Sequence, residues 1–216
     1  MKLLLYGGTF DPPHNGHLHN LQAVAAAVQP DLVVLMPAGV PPHKAASATP
    51  AALRLEMCEA FRALERSGAV PALQISDWEI RRAEAGYRNY TVSTLQMLAQ
   101  HYPDARLHLA VGSDMLLTFT TWFHWEEILQ MAVLVCQSRE TGDAAELEQA
   151  ARQLRAVPGA KGVVITRAEA QPLASSEVRA ALTAGQDCSH LLPDEVNRII
   201  AREGLYAPAH GERGAQ

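Results

Sequence analysis

The chain of 216 residues is poor in cysteine and lacks any long apolar run. Its three cysteines, Cys58, Cys136 and Cys188, are odd in number, and no two have the spacing of a metal site or a redox pair. We therefore expect reduced thiols and a cytoplasmic protein. No apolar run approaches the roughly 20 residues that span a bilayer. The chain begins with a strand-like run, so no secretory leader is expected.

Excess positive charge is also missing. The chain has 18 Lys and Arg against 23 Asp and Glu, a formal net charge of −5, and no basic run. This balance disfavours nucleic acid and membrane surfaces as partners. Two nucleotide-binding fingerprints are absent as well, the Gly-x-x-x-x-Gly-Lys-Ser/Thr loop of kinase-like enzymes and the Gly-x-Gly-x-x-Gly turn of dehydrogenases. What remains is a 48% hydrophobic chain, long enough for one α/β domain.

Short apolar runs recur along the chain and are typical of strands that are buried on both faces. Helical patterns separate them, and this alternation predicts a parallel sheet with right-handed crossovers. The predicted strands are Leu3 to Tyr6, Leu32 to Met36, Ala72 to Ile75, Leu107 to Val111, Met131 to Cys136 and Val163 to Thr166. The predicted helices cover residues 18–28, 50–66, 91–101, 143–155, 175–183 and 193–202.

The fold class that follows is α/β, with one open, mostly parallel sheet and helices on both faces. No repeat, low-complexity stretch or linker divides the chain, so residues 1–207 are predicted to form a single domain. Residues 208–216 are polar and contain glycine, and we predict a disordered tail there.

One segment of eleven residues carries most of the functional information. It reads Gly7-Gly8-Thr9-Phe10-Asp11-Pro12-Pro13-His14-Asn15-Gly16-His17 and joins the first predicted strand to the first helix. The paired glycines allow a tight turn and close approach of a ligand. The helix directs its unpaired N–H groups and positive dipole end at the same place, which favours a phosphate. His14 and His17, three residues apart, can face that ligand together.

Two other interpretations of these histidines stay open at this point. They can be buried side chains of an ordinary strand–turn–helix with satisfied hydrogen bonds. Alternatively, His14, His17 and His19 can bind zinc, with Asp11 as the fourth ligand, although no Cys or Glu lies nearby.

The segment resembles the Gly-Gly-x-Phe-Asp-Pro-x-His-x-Gly-His signature of the nucleotidyltransferases, and every fixed position is filled. The resemblance implies a Rossmann-like nucleotidyltransferase fold. It also implies that His14 and His17 are catalytic and contact the ATP phosphates. The same resemblance makes the rest of the turn part of the ATP site, namely Gly7, Gly8, Thr9 and Phe10.

Two further segments resemble the nicotinate-nucleotide adenylyltransferases within that superfamily. Pro42-His43-Lys44 matches the Pro-Pro-His-Lys loop, and Tyr90-Thr91 matches Ser-Tyr-Thr, with Asn89 in place of Ser. Together with Trp122, they are expected to bind the second substrate. By itself, Thr91 is equally well explained as a helix N-cap, and Trp122 as a core residue.

The remaining matches concern ATP. Gly112 and Asp114 follow the fourth predicted strand and resemble the Gly-x-Asp of the family. Ser175, Ser176 and Arg179 resemble Ile-Ser-Ser-Thr-x-Ile-Arg, with Ala174 replacing the first Ser and Ser176 replacing Thr. Hydroxyls at a helix start followed by an Arg form a second phosphate clamp.

The resemblance implies transfer of the adenylyl group of ATP to nicotinate mononucleotide, yielding deamido-NAD and pyrophosphate. The mononucleotide phosphate is itself the nucleophile, so alignment and charge neutralisation suffice, with Lys44 and Arg179 on the outer phosphates. Mg²⁺ is expected on the ATP phosphates and not in a protein metal site. A phosphopantetheine adenylyltransferase and a non-catalytic nucleotide-binding or sensing module are the alternatives.

Overall fold

Six parallel strands form one sheet in the order β3-β2-β1-β4-β5-β6. This computed structural model describes residues 1–40, 47–137, 144–166, 168 and 171–207. All the strand pairs of this sheet are parallel. The strands are β1 Lys2–Gly8, β2 Leu32–Pro37, β3 Leu73–Ile75, β4 Arg106–Gly112, β5 Ala132–Gln137 and β6 Val163–Ile165.

Ten α-helices lie between and after these strands in the described residues. They are α1 Asn15–Val28, α2 Ala51–Met57, α3 Arg62–Arg66, α4 Trp78–Glu84, α5 Thr91–His101, α6 Ser113–Leu117, α7 Trp125–Met131, α8 Ala144–Arg155, α9 Ser175–Thr183 and α10 Asp194–Glu203. Short 3-10 turns cover Cys58–Phe61, Phe119–Thr121 and Ser189–Leu191. Each of these helices is too short to cross a bilayer.

The side chains of β1 alternate between two separate cores. Leu3 and Leu5 pack in one cluster, which also contains residues of α5, α7 and α8. Leu4 and Tyr6 pack in the other, together with residues of α1 and of the turn after α2. Because successive side chains of a strand point to opposite faces, this alternation means that helices cover both faces of the sheet. The predicted α/β fold is confirmed.

Two predicted elements were wrong in detail. The single helix expected over 50–66 is interrupted by the 3-10 turn Cys58–Phe61, and Met131 ends α7 instead of starting a strand. Helices α4, α6 and α7, which are short, were not predicted. Of these, α4 buries only Ile80, so it shows little apolar periodicity.

A third, smaller cluster fixes the position of the C-terminal segment. Val178 of α9 and Val196 and Ile199 of α10 are buried against Met57 and Ala60. The contact holds the chain after β6 against α2, which follows the loop leaving β2. As a result, the start of α9 and the end of α10 lie beside the segment that follows β1. The domain bounds 1–207 remain a prediction, and residues 208–216 are outside the described part.

The strand order creates the crevice in which the site lies. From β1 the chain crosses to β2 on one side, whereas from β4 it crosses to β5 on the other side. Connections leaving neighbouring strands in opposite directions open a gap beyond their carboxyl ends, where α/β sheets bind ligands.

Candidate active site

A cavity of about 840 Å³ occupies this crevice. The fold brings together around it all the residues that the sequence analysis assigned to ATP, although they come from three separate segments of the chain. They are Gly7, Gly8, Thr9, Phe10, His14, His17, Gly112, Asp114, Ser175, Ser176 and Arg179. We call this cavity the larger lobe.

A second cavity of about 190 Å³ adjoins the first, and we call it the smaller lobe. Three residues assigned to the second substrate, Tyr90, Thr91 and Trp122, line it. The other three, Pro42, His43 and Lys44, lie outside the described residues. The two lobes meet at shared lining residues from the ends of β1 and β4 and the start of α6, which are Gly7, Gly8, Thr9, Ala110 and Met115.

Phe10 anchors the turn that separates β1 from α1. Its ring is buried and packs against Tyr6 and Phe61, at centroid distances of 5.9 and 5.3 Å, with His17 at 5.1 Å. A Cβ on Gly8 would lie only 2.7 Å from this ring, so the glycine is required for close packing. Since the Phe10 ring belongs to the core, any contact with ATP would come from its backbone.

His14 and His17 cap the first turn of α1 reciprocally. The backbone N–H of His17 donates to Nδ1 of His14 at 3.3 Å, and the backbone N–H of His14 donates to Nδ1 of His17 at 3.2 Å. A backbone N–H can only donate, so each Nδ1 is unprotonated and each neutral ring carries its hydrogen on Nε2. The rings stack with centroids 3.7 Å apart. The turn thus presents two neighbouring N–H donors, which suits phosphate oxygens.

The same geometry disfavours the zinc interpretation. Both Nδ1 atoms are occupied by backbone hydrogen bonds, and the Asp11 carboxylate is held by other partners. Across the described residues, no group of three or more His, Cys, Asp or Glu side chains is placed to hold a metal ion.

The start of α9 also faces the larger lobe. Ser175 donates from its hydroxyl to the carbonyl of Pro12 at 2.9 Å, which ties this helix to the signature turn. Glu177 accepts a hydrogen bond from the backbone N–H of Ala174 at 3.1 Å. The helix N-termini of α1 and α9 therefore both border one cavity, and their dipoles favour an anion there.

Asp11 connects four segments of the chain at the rim of the larger lobe. Its carboxylate accepts hydrogen bonds from the hydroxyls of Ser47 and Tyr206, both at 2.6 Å. Arg179 donates to the Asp11 carbonyl at 2.6 Å, with a nitrogen 3.9 Å from the carboxylate. Burial alone would raise the pKa of Asp11, but the hydroxyls of Ser47, Thr49 and Tyr206 and the charge of Arg179 lower it overall.

Arg54 is a buried cation next to the same turn. It is 3% exposed and donates to the Thr9 carbonyl at 2.8 Å. Burial lowers its pKa, which the negative charge of Asp11 opposes. Arg54, Ser47 and Tyr206 were not predicted as site residues. Nothing in their local sequence marks them, because their role depends on contacts with distant segments.

The smaller lobe has a polar floor and aromatic walls. Glu79 accepts a hydrogen bond from the Thr94 hydroxyl at 2.6 Å, and burial raises the pKa of this carboxyl group despite that bond and one from the Gly39 N–H. A Cβ on Gly39 would lie 2.3 Å from the Glu79 carbonyl, so α4 and this loop are in close contact. Asn89 accepts from the Val40 N–H at 3.4 Å.

The aromatic walls consist of two ring pairs. Tyr90 packs against Phe123 with centroids 4.5 Å apart, and Trp122 packs against Phe119 at 5.2 Å. Phe119 is buried and Trp122 is half-buried at the cavity surface, so the indole has both a core contact and a face towards the lobe. Phe123, which is 53% exposed, was not identified from the sequence.

Comparison with known proteins supports a common origin for these features. The model of the cytidylyltransferase-like family matches residues 5–181. A protein of Acidithiobacillus ferrooxidans named "Probable nicotinate-nucleotide adenylyltransferase" is 38% identical over 216 residues, which cover 94% of this chain and 95% of that protein. A protein of Neisseria meningitidis serogroup B with the same name is 38% identical over 209 residues, covering 95% and 98%.

Solved structures share the fold at low sequence identity. Nicotinic acid mononucleotide adenylyltransferase of Plasmodium falciparum, solved in complex with NaAD, is 16% identical and has a TM-score of 0.74 over 95% of this chain and 97% of that chain. The same enzyme complexed with APC has a TM-score of 0.72 over 95% and 96%.

Proposed function

The chain belongs to the cytidylyltransferase-like family and, within it, to the nicotinate-nucleotide adenylyltransferases, and we propose that it transfers the adenylyl group of ATP to nicotinate mononucleotide. The products are deamido-NAD and pyrophosphate. A phosphate oxygen of the mononucleotide attacks the α-phosphorus of ATP. The bond from that phosphorus to the oxygen bridging to the β-phosphate breaks, and pyrophosphate leaves with the bonding electrons.

The observation that carries this proposal is the pair of adjoining lobes. The larger lobe is bordered by hydrogen-bond donors and two helix N-termini, and the smaller lobe by aromatic rings. They meet at Gly7, Gly8 and Thr9, at the start of the signature segment that ends in the paired histidines. A triphosphate in one lobe and a ring nucleotide in the other would therefore bring their phosphates together at this junction.

The residues at the junction fit a reaction that needs alignment and charge stabilisation. The Nε2–H groups of His14 and His17 would donate to phosphate oxygens as negative charge moves towards the leaving pyrophosphate. Arg179 and the N-terminus of α9 would neutralise the outer phosphates. No nucleophilic side chain is needed, because the mononucleotide phosphate is already ionised at neutral pH.

We propose that Mg²⁺ enters with ATP on its phosphate oxygens, where it neutralises their charge. Besides the carboxylates of Asp11 and Asp114, the polar side chains that border the larger lobe are chiefly hydrogen-bond donors, which suit phosphates better than a cation. The Asp11 carboxylate is surrounded by the Ser47 and Tyr206 hydroxyls and Arg179. This donor set fits a magnesium ion carried by the nucleotide and does not fit a protein-bound one.

The smaller lobe would hold the pyridine ring of the mononucleotide. Thr91 is the first residue of α5, and the N–H groups at a helix start lack partners within the helix. They are therefore suitable donors to the nicotinate carboxylate, while Trp122 stacks on the ring. Phosphopantetheine has no aromatic ring, so the walls of the smaller lobe favour nicotinate mononucleotide. We further propose a cytoplasmic location, which the buried free thiols of Cys58, Cys136 and Cys188 fit.

The direct test is pyrophosphate release from ATP and nicotinate mononucleotide, with deamido-NAD identified by mass spectrometry. We expect release only when both substrates and Mg²⁺ are present. Phosphopantetheine in place of the mononucleotide, and CTP in place of ATP, serve as controls for the related activities. Faster turnover with phosphopantetheine than with the mononucleotide would identify a phosphopantetheine adenylyltransferase instead. Binding of ATP without any release of pyrophosphate would favour a sensing module.

A further inference from the structure

The three residues that follow α10 contribute to the wall of the larger lobe. Gly204, Leu205 and Tyr206 line the cavity, and Tyr206 donates its hydroxyl to Oδ1 of Asp11 at 2.6 Å. The two residues are 195 positions apart in the chain. A residue close to the end of the described chain thus binds the carboxylate in the signature turn directly.

The hydrogen bond has a defined direction and belongs to a small network. The Thr49 hydroxyl donates to the Tyr206 oxygen at 3.2 Å, and the Ser47 hydroxyl donates to Oδ2 of Asp11 at 2.6 Å. Burial and the neighbouring Asp11 carboxylate raise the pKa of Tyr206, so its phenol stays protonated and donates. Each Asp11 oxygen therefore has its own hydroxyl donor.

The backbone at both ends of this contact is strained. Tyr206 has a φ of 55° and Phe10, directly before Asp11, has a φ of 51°. Bulky residues rarely adopt the left-handed region, and they stay there only when surrounding contacts hold them. The Asp11–Tyr206 hydrogen bond is one of the contacts at this point.

The next link runs from Asp11 to Arg179. Its guanidinium donates to the Asp11 carbonyl at 2.6 Å and lies 3.9 Å from the carboxylate. The position of Asp11 therefore determines where this cation sits in the larger lobe. Asp11, Arg179 and Tyr206 all line the larger lobe, and the lining of the smaller lobe includes none of them.

We propose that Tyr206 is a positioning residue for ATP: its hydroxyl fixes Asp11, and through Asp11 it holds Arg179 where the triphosphate binds. The proposal rests on the function proposed above, in that the larger lobe is the ATP site. In this arrangement the C-terminal segment belongs to the ATP site, although Tyr206 itself does not contact the nucleotide. The effect is specific to ATP, because the smaller lobe is built from other residues.

The test is Tyr206→Phe, which removes one oxygen and keeps the ring that packs beside α9 and α10. We expect ATP to bind roughly three- to tenfold more weakly, the scale of one net hydrogen bond. Binding of nicotinate mononucleotide should change by less than about twofold. Calorimetric titration of each substrate alone measures both. The matched control is Tyr102→Phe, which removes a hydroxyl bonded to Gln74 at 2.9 Å, away from both lobes.

Two further variants test whether the effect passes through Asp11. Ser47→Ala removes the hydroxyl that donates to Oδ2 of Asp11. This variant should likewise weaken the binding of ATP and leave that of nicotinate mononucleotide nearly unchanged. In a chain that already has Asp11→Ala, adding Tyr206→Phe should change ATP affinity by less than about twofold, because the acceptor is gone. If Asp11→Ala does not fold, the Ser47→Ala result still decides the point.

The outcomes separate this inference from the proposed function. Unchanged ATP affinity in Tyr206→Phe would overturn the positioning role, as would equal weakening of both substrates with a lowered melting temperature. If the unmodified protein binds ATP but forms no deamido-NAD, the proposed activity fails. The ATP titrations then still test the role of Tyr206.

Discussion

Asp11 borders the larger lobe and Glu79 the smaller one, and the pKa values of these two carboxyl groups shift in opposite directions. Both are removed from water, which by itself raises the pKa of each. Asp11 is surrounded by three hydroxyls and Arg179, and its pKa ends below the ordinary value. Within the described part of the chain, the donors to Glu79 are the Thr94 hydroxyl and the Gly39 N–H, and burial prevails. The number and charge of the donors decide which effect dominates.

The two lobes differ in origin as well as in charge. The larger lobe combines the signature turn with Ser47, the start of α9 and the end of α10, so its polar contacts join distant parts of the chain. The polar residues and aromatic walls of the smaller lobe come mainly from residues 79–123. The difference suggests a division of tasks, with charge neutralisation in the larger lobe and recognition of a ring in the smaller lobe.

The largest expected effect lies at the junction of the lobes. His17→Ala should reduce turnover by ~10²–10³, the scale of losing one preorganised donor in the transition state. ATP affinity should fall much less. Rapid-mixing measurement of deamido-NAD formation, combined with ATP titration, separates the two quantities.

A second variant separates catalysis from helix capping. His17→Asn keeps a short side-chain acceptor for the His14 N–H but lacks the distant Nε2–H, so it should restore stability without restoring turnover. His19→Ala, on the same helix, is the control and should leave turnover unchanged. Near-normal turnover in His17→Asn would show that capping is the main role of this histidine.

Recognition of the ring carboxylate is the next largest effect. The amide analogue would leave a helix N–H unpaired, at about 1–3 kcal/mol, so nicotinate mononucleotide should be preferred by about fivefold or more in kcat/KM. Thr91→Pro should reduce this preference because it removes one N–H. The substitution suits the first helical position, and Tyr90 already has the extended backbone that a following proline needs.

Two controls accompany the Thr91 variant. Thr91→Ala removes the hydroxyl but keeps the N–H and should retain the preference. Trp122→Ala should weaken both mononucleotides by similar factors, since stacking does not distinguish the acid from the amide. Equal kcat/KM for the two substrates in the unmodified protein would contradict this view of the smaller lobe.

Loss of the Arg179 side chain should change the KM of one substrate only. Arg179→Ala removes a charged phosphate contact and should raise the KM for ATP several-fold, with little change for the mononucleotide. Steady-state kinetics with each substrate varied in turn measures this, and Arg198→Ala, at an exposed position of α10, provides a charge-matched control. A raised KM for the mononucleotide alone would mean that the two lobes are assigned the wrong way round.

The smallest expected effect tests the two carboxylates directly. The lowered pKa of Asp11 means that its ionised form stabilises the fold above the ordinary value of 3.8, and that this contribution is lost as the pH falls through the folded-state pKa. Asp11→Asn should therefore cost about 0.5–1.5 kcal/mol near neutral pH and less in acid. Glu79 behaves in the opposite way, since its raised pKa makes ionisation unfavourable to the fold as the pH rises above 4.5.

Glu79→Gln should consequently gain stability relative to the unmodified protein as the pH rises. Urea unfolding of the three proteins between about pH 2.5 and 7.5, a range that extends below the ordinary pKa of Asp11, gives the free energies of unfolding needed for the comparison. Parallel pH profiles for Asp11→Asn and Glu79→Gln would contradict the opposite pKa shifts.

Much of the fold was predictable from short stretches of sequence. The six strands appear at or near their predicted positions because a buried parallel strand is a continuous apolar run. Helices α4 and α7 were missed for a related reason. Each is seven residues long and buries few side chains, so its periodicity is too short to recognise. Both border or approach the smaller lobe, which is why that lobe was predicted less completely.

The sequence by itself determined the signature turn and the parallel α/β sheet, and it predicted eleven of the residues that line the larger lobe, because these depend on local identity and on local periodicity. Only the tertiary structure decided that Tyr206, Ser47 and Arg54 belong to the same site. Their contacts with the turn depend on the packing of α9 and α10 against α2. A hydrogen bond between residues 195 positions apart leaves no local pattern, since its partners meet only after the core has formed.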